Sequence, residues 1–170
     1  MDFKAFVRDV TDFPKPGIIF KDITPLLNNP QVLNATSNAL FELVEGKQID
    51  KVVGVDSRGF IFAPMLASKL NAGFVPVRKK GKLPYKTVSE PYALEYGEGI
   101  LEIHTDAIEP GEKVLIHDDV LATGGTAAAV CKLVEKLGGE VVQCNFLVQL
   151  TFLNGVDMLK GREIKSLLQY

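Results

Sequence analysis

Short apolar runs alternate along most of the chain with longer stretches in which apolar residues recur every three or four positions. The runs have the length of buried strands, and the recurrence over residues 127–137 is typical of an amphipathic helix. Strands that alternate with helices form a mostly parallel sheet with helices on both faces. We therefore predict an α/β fold. The apolar runs comprise residues 52–55, 74–77, 114–116 and 141–148.

The N-terminal residues depart from this alternation. Apolar side chains within residues 3–10 have the spacing of a short amphipathic helix, and a stretch rich in proline and glycine follows at 12–17. We interpret residues 18–24 as an extended segment outside the main sheet. Asn29 is a favourable helix N-cap and Pro30 suits the first helical position, so we expect a helix to begin there.

A second departure lies at residues 79–99, which contain four lysines and three tyrosines with little apolar periodicity. A loop of this length in a compact domain is usually functional or disordered, so we predict a flexible lid. A strand is expected after it at 100–104, and residues 163–168 supply a final strand or a cover. We expect a single domain over residues 1–170, since no linker or internal repeat is evident.

One stretch combines features that suit a phosphorylated ligand. The apolar run 114–116 leads into Asp118 and Asp119, and small residues at 122–126 then precede a helical pattern. A helix N-terminus leaves backbone N–H groups unpaired and carries the positive end of the helix dipole. Glycines let a phosphate approach these groups, and we expect Gly125 to hold the positive-φ position of the turn.

The side chains of this stretch suit other parts of such a ligand. Thr123 and Thr126 add hydroxyl donors for a phosphate. The two carboxylates would repel a phosphate, but they suit sugar hydroxyls or a hydrated Mg²⁺. Phosphate, sugar diol and metal together describe a phosphorylated ribose. The alternative is an ordinary acidic turn between a strand and a helix, with no ligand.

Residues 114–126, with the sequence VLIHDDVLATGGT, resemble the phosphoribosyl-pyrophosphate (PRPP) motif of the type I phosphoribosyltransferase family. Three other stretches resemble the branch of that family that uses adenine, and the resemblance covers nearly the whole chain. They are FPKPGIIFKD at 13–22, RKKGKLP at 78–84 and LEYG at 94–97. The resemblance implies the family's fold, which is a mostly parallel sheet flanked by helices. It also implies an N-terminal hood over about residues 1–28 and the lid over about 79–99.

The resemblance also implies an activity. The chain is expected to be a pentosyltransferase of purine salvage, which transfers ribose 5-phosphate from PRPP to N9 of adenine. The products would be AMP and pyrophosphate. Mg²⁺ is the expected cofactor, bound mainly through PRPP and water, and no direct protein ligand is assigned to it. The family resemblance further suggests a homodimer.

The same resemblance assigns roles to individual residues. The expected catalytic group is Glu95 as acid or base, with Asp118 and Asp119 on the ribose hydroxyls and Arg58 in the loop that matches the family's pyrophosphate loop. A guanidinium offers paired donors for phosphate oxygens, although a helix cap with a surface arginine is the alternative. The expected substrate contacts are Ile19, Lys21, Asp56, Ser57, Arg58, Arg78, Lys79, Lys82, Tyr96, Val120, Ala122, Thr123, Gly124, Gly125 and Thr126.

Three of these expectations concern particular groups. By the resemblance, the backbone at Ile19 and Lys21 would read the edge of the base. Lys79 and Lys82 begin the lid, where their charge would stabilise a departing pyrophosphate, and a solvated run of charge is the alternative. His117 stands where the family usually has an apolar residue, and we interpret it as a core histidine with satisfied hydrogen bonds.

Composition narrows the expected partners to small molecules. A net charge of −2 gives no reason to expect nucleic-acid binding. No apolar run approaches the ~20 residues that a membrane span needs, so no membrane partner is expected. Cys131 and Cys144 fall in a predicted helix and a predicted strand. Both are expected to be buried free thiols, which fits a cytoplasmic location.

Two other functions stay open from the sequence. One is a non-catalytic regulator that keeps the PRPP fold as a sensor. Regulators of this kind that bind DNA need an added module, and one that binds RNA would need a basic face, which the net charge does not favour. The other is phosphoribosyl transfer to another purine, such as xanthine.

Overall fold

The computed structural model describes residues 1–93 and 98–170. They group into two compact units, Met1–Ala39 and Leu40–Tyr170. The predicted hood lies within the first unit, and the expectation of a single domain stays a prediction. In the described part of the chain, no helix combines the length and the apolar character needed to cross a membrane.

The first unit contains a small antiparallel sheet. A 3-10 helix at Phe3–Phe6 is followed by strand β1, Arg8–Thr11, which pairs with strand β2, Ile19–Asp22. The prediction of an amphipathic helix is therefore wrong beyond Phe6, because Val10 lies in β1 and pairs with Phe20 across the ladder. The predicted extended segment outside the main sheet is confirmed, since β1 and β2 form a sheet of their own.

Two helices follow, α1 at Thr24–Leu27 and α2 at Pro30–Glu42. Helix α2 begins where the sequence predicts. The Asn29 carboxamide oxygen accepts hydrogen bonds from the backbone N–H groups of Gln31 and Val32, both at 3.1 Å. This cap satisfies two of the four N–H groups that a helix start leaves without acceptors.

The second unit is built on a seven-stranded sheet with helices packed against it. The strands are β3 (Lys51–Val55), β4 (Gly73–Lys79), β5 (Thr87–Ala93), β6 (Glu98–His104), β7 (Lys113–Leu121), β8 (Glu140–Gln149) and β9 (Ile164–Gln169). The helices are α3 (Gly59–Leu70) and α4 (Gly125–Lys136), and 3-10 turns lie at Thr151–Leu153 and Gly155–Leu159. The strand order is β5-β6-β4-β3-β7-β8-β9. The pairs β4-β3, β3-β7, β7-β8 and β8-β9 are parallel, and the pairs β4-β6 and β5-β6 are antiparallel. The predicted mostly parallel sheet is therefore confirmed.

The core of this unit lies between the parallel strands and α4. Val53, Ile116 and Leu133 are fully buried members of one apolar cluster. Continuous burial along a strand is expected where both faces of a parallel sheet are covered. Cys131 and Cys144 are buried free thiols in the same cluster, as predicted.

The segment predicted as an irregular lid contains regular structure. Strand β5 pairs antiparallel with β6, and β6 pairs with the end of β4 through Arg78↔Glu102 and Lys79↔Leu101. Alternation in β5 was obscured because its buried positions include Glu90, a charged residue. The loop prediction is therefore wrong for β5 and for the first two residues of β6, whereas the strand expected at 100–104 is confirmed as part of β6. Residues 94–97 lie outside the described part of the chain.

Strand β7 runs further than its apolar stretch. It continues through Asp118 and Asp119 to Leu121, because β8 stays paired with it, with Val120 opposite Val148. The acidic pair therefore belongs to a strand and not to a turn, and its backbone is held by the sheet.

The cap of α2 gives a test of the fold's local energetics. Asn29→Ala removes the acceptor of two N–H groups and should lower the free energy of unfolding by about 1 kcal/mol in urea denaturation. Gln31→Ala changes an exposed side chain in the same turn and keeps the cap, so it should have almost no effect. Equal effects of the two substitutions would show that the cap does not stabilise the helix.

Candidate active site

The carboxyl ends of two neighbouring parallel strands bring together the two polar motifs predicted from the sequence. Residues 56–59 follow β3, and Asp119 lies near the end of β7. The Arg58 Nε atom is 2.6 Å from Asp119 Oδ2. Ser57 precedes this arginine and follows Asp56 through a cis peptide bond. The structure thus joins the two motifs by an ion pair.

Gly59 permits this close approach of α3 to β7. A Cβ atom at Gly59 would lie 2.9 Å from Asp118 Oδ1 and 3.1 Å from the His117 carbonyl oxygen. The first contact is closer than side chains tolerate, so a larger residue would force the start of α3 away from the acidic pair. The glycine that closes the 56–59 motif is therefore required by packing against β7.

The acidic pair is electrostatically strained. Burial raises the pKa of Asp119 above its ordinary value, and the charge of Arg58 opposes this effect. Burial raises the pKa of Asp118 well above its ordinary value, and the neighbouring charge of Asp119 raises it further. The Asp118 Oδ1 atom accepts a hydrogen bond from the Asp119 N–H group at 2.9 Å. A ligand that offers hydroxyl donors or positive charge would stabilise the ionised pair.

A small cavity lies beside Asp118 at the start of α4. Its volume is about 70 Å³, several times the roughly 10–15 Å³ that one water needs. The lining residues are Asp118, Val120, Leu121, Ala122, Thr123, Gly124, Thr126 and Ala127. The N-cap of α4 is Gly124, and among the described residues no side-chain hydrogen bond caps this helix. The first N–H groups of α4 therefore remain available to an anion.

The glycine with a positive φ in this loop is Gly124, at +85°, and not Gly125 as predicted. Helix α4 begins at Gly125, so this residue already has helical geometry. The error arises because two adjacent glycines in a turn leave the helix start ambiguous by one residue.

Gly155, which supports this loop, was not among the residues predicted from the sequence. A Cβ atom at Gly124 would collide with the Gly155 carbonyl oxygen, and a Cβ atom at Gly155 would collide with the Ala122 carbonyl oxygen. The loop and the 3-10 turn after Asn154 therefore pack backbone against backbone. The Asn154-Gly155 pair is a turn signal, but it does not reveal which segment the turn contacts.

Arg78 joins the end of β4 to the end of β3. Its Nε atom is 3.0 Å from Asp56 Oδ2, and its Nη1 atom donates to the Lys82 carbonyl oxygen at 3.3 Å. Its guanidinium lies 6.0 Å from the centre of the Phe60 ring. Lys79 ends β4 and Lys82 lies in the basic turn that follows, and both side chains are exposed. Two arginines and this basic turn thus border the same strand ends as the acidic pair.

The remaining predicted site residues lie in the first unit or outside the described part of the chain. Ile19 and Lys21 lie in β2 of the first unit. The Lys21 Nζ atom is 2.6 Å from Asp9 Oδ1, so its side chain is engaged by a neighbour. Glu95 and Tyr96 lie outside the described residues. The roles assigned to these four residues stay predictions.

His117 is a core residue adjacent to the acidic pair. It is fully buried, with Nδ1 at 3.2 Å from Asn145 Oδ1, and the Asn145 amide donates to the Leu40 carbonyl oxygen at 3.1 Å. Burial lowers the pKa of His117 to about 4. The histidine is therefore neutral at pH 7. The predicted hydrogen bonding of this histidine is only half present, because its Nε2 atom has no hydrogen-bond partner within the described residues.

The side chains of this site could hold a metal ion only if a bound substrate supplied further ligands. Within residues 1–93 and 98–170, no group of three or more His, Cys, Asp or Glu side chains is placed to hold a metal. Mg²⁺ is commonly bound through one or two carboxylates, with substrate phosphates and waters as the remaining ligands. Asp118, at the edge of the cavity, suits that arrangement.

Comparison with known proteins agrees with this geometry. The family model described as phosphoribosyl transferase domain matches residues 22–154. The chain therefore belongs to the phosphoribosyl transferase domain family, and its fold has the architecture expected from the sequence.

Particular relatives narrow the comparison. The chain is 62% identical to the adenine phosphoribosyltransferase of Christiangramia forsetii, over 100% of this chain and 99% of the relative. A crystal structure of adenine phosphoribosyltransferase from Rhodothermus marinus is 57% identical, with a TM-score of 0.94 over 99% of this chain and 96% of that one. The Saccharomyces cerevisiae enzyme, complexed with an imino-altritol 1,6-bisphosphate and adenine, is 41% identical, with a TM-score of 0.93 over 98% and 97%. The resemblance to the adenine-using branch is confirmed.

The backbone packing of the loop predicts a difference between two glycines. Gly124→Ala combines strain at positive φ with a collision against Gly155, whereas Gly161→Ala has a similar φ of +83° and open space around its Cβ. Both should lose about 1–2 kcal/mol of stability from the backbone. Only Gly124→Ala should also displace the loop and lower kcat/KM for PRPP, by about 10²-fold. Equal steady-state kinetics in the two variants would remove the loop from the substrate site.

His117 predicts acid sensitivity of the fold. The pKa of His117 in the folded state, about 4, lies below its ordinary value of 6.5. As the pH falls, this histidine therefore binds a proton in the unfolded state before it does so in the folded state. Its contribution to stability is full above pH 6.5 and is lost as pH falls towards 4. Between pH 7 and 5 the wild-type free energy of unfolding should fall by about 2 kcal/mol more than that of His117→Val. Urea denaturation at both pH values measures this, and parallel losses would contradict it.

Proposed function

We propose that this chain transfers ribose 5-phosphate from PRPP to N9 of adenine, giving AMP and pyrophosphate in purine salvage. The observation that carries the proposal is the uncapped start of α4 beside an acidic pair that is bridged to Arg58. The start of α4 suits a phosphate, the acidic pair suits a sugar diol, and Arg58 suits a second anionic group. High identity to adenine phosphoribosyltransferases over the full chain supports the same conclusion.

The 5′-phosphate would bind at residues 122–126. Backbone N–H groups at the start of α4 point towards a bound anion, and the helix dipole adds to the attraction. Asp118 and Asp119 would accept hydrogen bonds from the ribose hydroxyls. These donors replace lost hydration and favour the ionised carboxylates, whose pKa values are raised in the free protein. Because the carboxylates repel a phosphate, the ribose would bind with its hydroxyls towards the acidic pair and its 5′-phosphate towards residues 122–126.

The pyrophosphate end would lie among the basic groups at the ends of β3 and β4. Arg58 and Arg78 are already held by Asp119 and Asp56, so their guanidinium groups are positioned before the substrate arrives. Lys79 and Lys82 would add charge from the neighbouring turn. Mg²⁺ held by PRPP, water and Asp118 would neutralise part of the pyrophosphate charge.

The reaction breaks the bond between C1′ and the pyrophosphate oxygen and forms the bond between C1′ and N9. Positive charge develops on the ribose and negative charge on the leaving group. The acidic pair would stabilise the first, and the arginines and lysines would stabilise the second. Glu95 is proposed to exchange the proton at the purine ring.

Base selection is proposed to rest on the backbone of Ile19 and Lys21. Adenine presents an amine donor at C6 and an acceptor at N1, whereas hypoxanthine presents a carbonyl and an N–H group. Backbone groups cannot exchange donor for acceptor as side chains can. Each unpaired polar group left by the wrong base costs ~1–3 kcal/mol, so two mismatches discriminate by roughly 10²–10⁴-fold.

A cytoplasmic location and a homodimer belong to the same proposal. Two buried free thiols suit a reducing compartment. The homodimer rests on the family resemblance. A PRPP-sensing regulator and a transferase for another purine are the rival functions, and a panel of bases separates them from the proposal.

The proposal predicts the outcome of such a panel. With PRPP and Mg²⁺, the chain should convert adenine to AMP and should use hypoxanthine, guanine and xanthine at least about 10²-fold less efficiently. Lys21→Ala should keep this preference, because the contact is through the backbone and the side chain is paired with Asp9. The release of pyrophosphate and the formation of nucleotide measure turnover.

Each rival has its own result in this assay. Binding of PRPP without turnover of any base would indicate the regulator. Efficient use of xanthine in place of adenine would indicate the other transferase and would contradict the proposed base contacts.

A further inference from the structure

A buried carboxylate joins strand β5 to helix α4. Glu90 is only 7% exposed. Its Oε1 atom is 3.2 Å from Lys132 Nζ, and its Oε2 atom is 2.6 Å from Lys136 Nζ. The Lys136 ammonium also donates to the Ser89 carbonyl oxygen at 2.8 Å. Three polar contacts therefore fix this part of β5 on the helix.

These contacts differ from an ordinary surface ion pair. Lys132 and Lys136 lie on successive turns of α4, so one carboxylate is held at two points along the helix axis. Hydrogen bonds from Lys136 lower the pKa of Glu90, although burial acts in the opposite direction. The carboxylate is therefore charged at pH 7. Because both of its oxygens are paired, a slide of β5 along α4 would break at least one contact.

The sheet carries this attachment to the basic turn after β4. Glu90 pairs with Leu101 of β6, and Leu101 pairs with Lys79 at the end of β4. Glu90, Leu101 and Lys79 are thus neighbours in the ladder across β5, β6 and β4. Beside it, the Glu102 carboxylate accepts a hydrogen bond from the Gly81 N–H group at 2.9 Å. The position of the turn is therefore fixed relative to β6, and that of β6 relative to β5.

The two elements that this connection joins, α4 and β4, carry two different anion sites of the proposed function. Glu90 contacts the last turns of α4, and the helix extends from there to the anion site at its start. The start of α4 is the proposed 5′-phosphate site, and the end of β4 contributes to the proposed pyrophosphate site. PRPP carries both anionic groups on one ribose, so its affinity depends on the separation of the two sites. AMP carries only the 5′-phosphate.

We propose that Glu90 is a positioning residue that sets the separation between the two anion sites of PRPP, by fixing β5 on Lys132 and Lys136. The inference rests on the proposed function. It assigns Glu90 no contact with substrate. Its effect on binding is transmitted through α4 on one side and through β6 and β4 on the other.

The experiment compares two ligands on one variant. Glu90→Gln keeps the shape of the side chain and removes its charge. Isothermal titration calorimetry should show that the Kd for PRPP with Mg²⁺ rises by about tenfold. The Kd for AMP should rise by less than about twofold, since AMP does not span the two sites. Thermal unfolding of the same samples shows that the variant is folded.

Glu163→Gln is the matched control. Glu163 also has two lysine partners, with Lys47 at 2.8 Å and Lys165 at 4.0 Å, and it lies before β9 at the opposite edge of the sheet. This substitution should change neither Kd. Lys136→Met provides a second variant should Glu90→Gln unfold, because the lysine is half exposed. It should weaken PRPP in the same selective way, and less so when Glu90 is already replaced.

Two results would overturn the inference. One is an unchanged Kd for PRPP in both folded variants. The other is equal weakening of PRPP and AMP, which a purely structural role would produce. Failure of the proposed function would look different. A wild-type chain that binds PRPP but makes no AMP would contradict the proposed activity. The comparison of PRPP and AMP affinities would still decide the role of Glu90.

Discussion

Two adjacent carboxylates at the end of β7 impose the constraint on which the site depends. Burial raises the pKa values of both Asp118 and Asp119, so the pair is unstable as two charges without partners. Arg58, from the end of the neighbouring strand, offsets part of this repulsion across 2.6 Å. That contact requires α3 to start close to β7, which Gly59 permits. The remaining imbalance favours a ligand with hydroxyl donors, and a ribose diol supplies them.

Local pattern was enough to predict the parallel part of the sheet, because its central strands β3, β7 and β8 are largely buried on both faces. It failed for strand β5, whose buried residues include Glu90, although the neighbouring strand β6, which buries Glu102, was predicted over residues 100–104. Burial of a carboxylate depends on cations and N–H groups supplied by distant segments, here Lys136 and Gly81. It also failed near the N-terminus, where the spacing of Val10 suited a helix but pairing with Phe20 placed it in a strand.

The candidate site divides in the same way. The motifs at 56–59 and 118–126 are contiguous in sequence, so their chemistry was predictable from residue types and order. Gly155 was not, since its importance comes only from contact with the backbone of Ala122 and Gly124. The position of the positive-φ glycine was displaced by one residue because both neighbours are glycine. Contacts between segments that are distant in sequence thus account for most of what sequence pattern missed.

A crystal structure of this chain with AMP tests the central assignment most directly. The account predicts that the 5′-phosphate accepts hydrogen bonds from backbone N–H groups within residues 123–126, with both ribose hydroxyls donating to Asp118 and Asp119. The phosphate would then occupy the cavity at the start of α4. A phosphate bound away from this loop, or a ribose diol without contact to the acidic pair, would contradict the account.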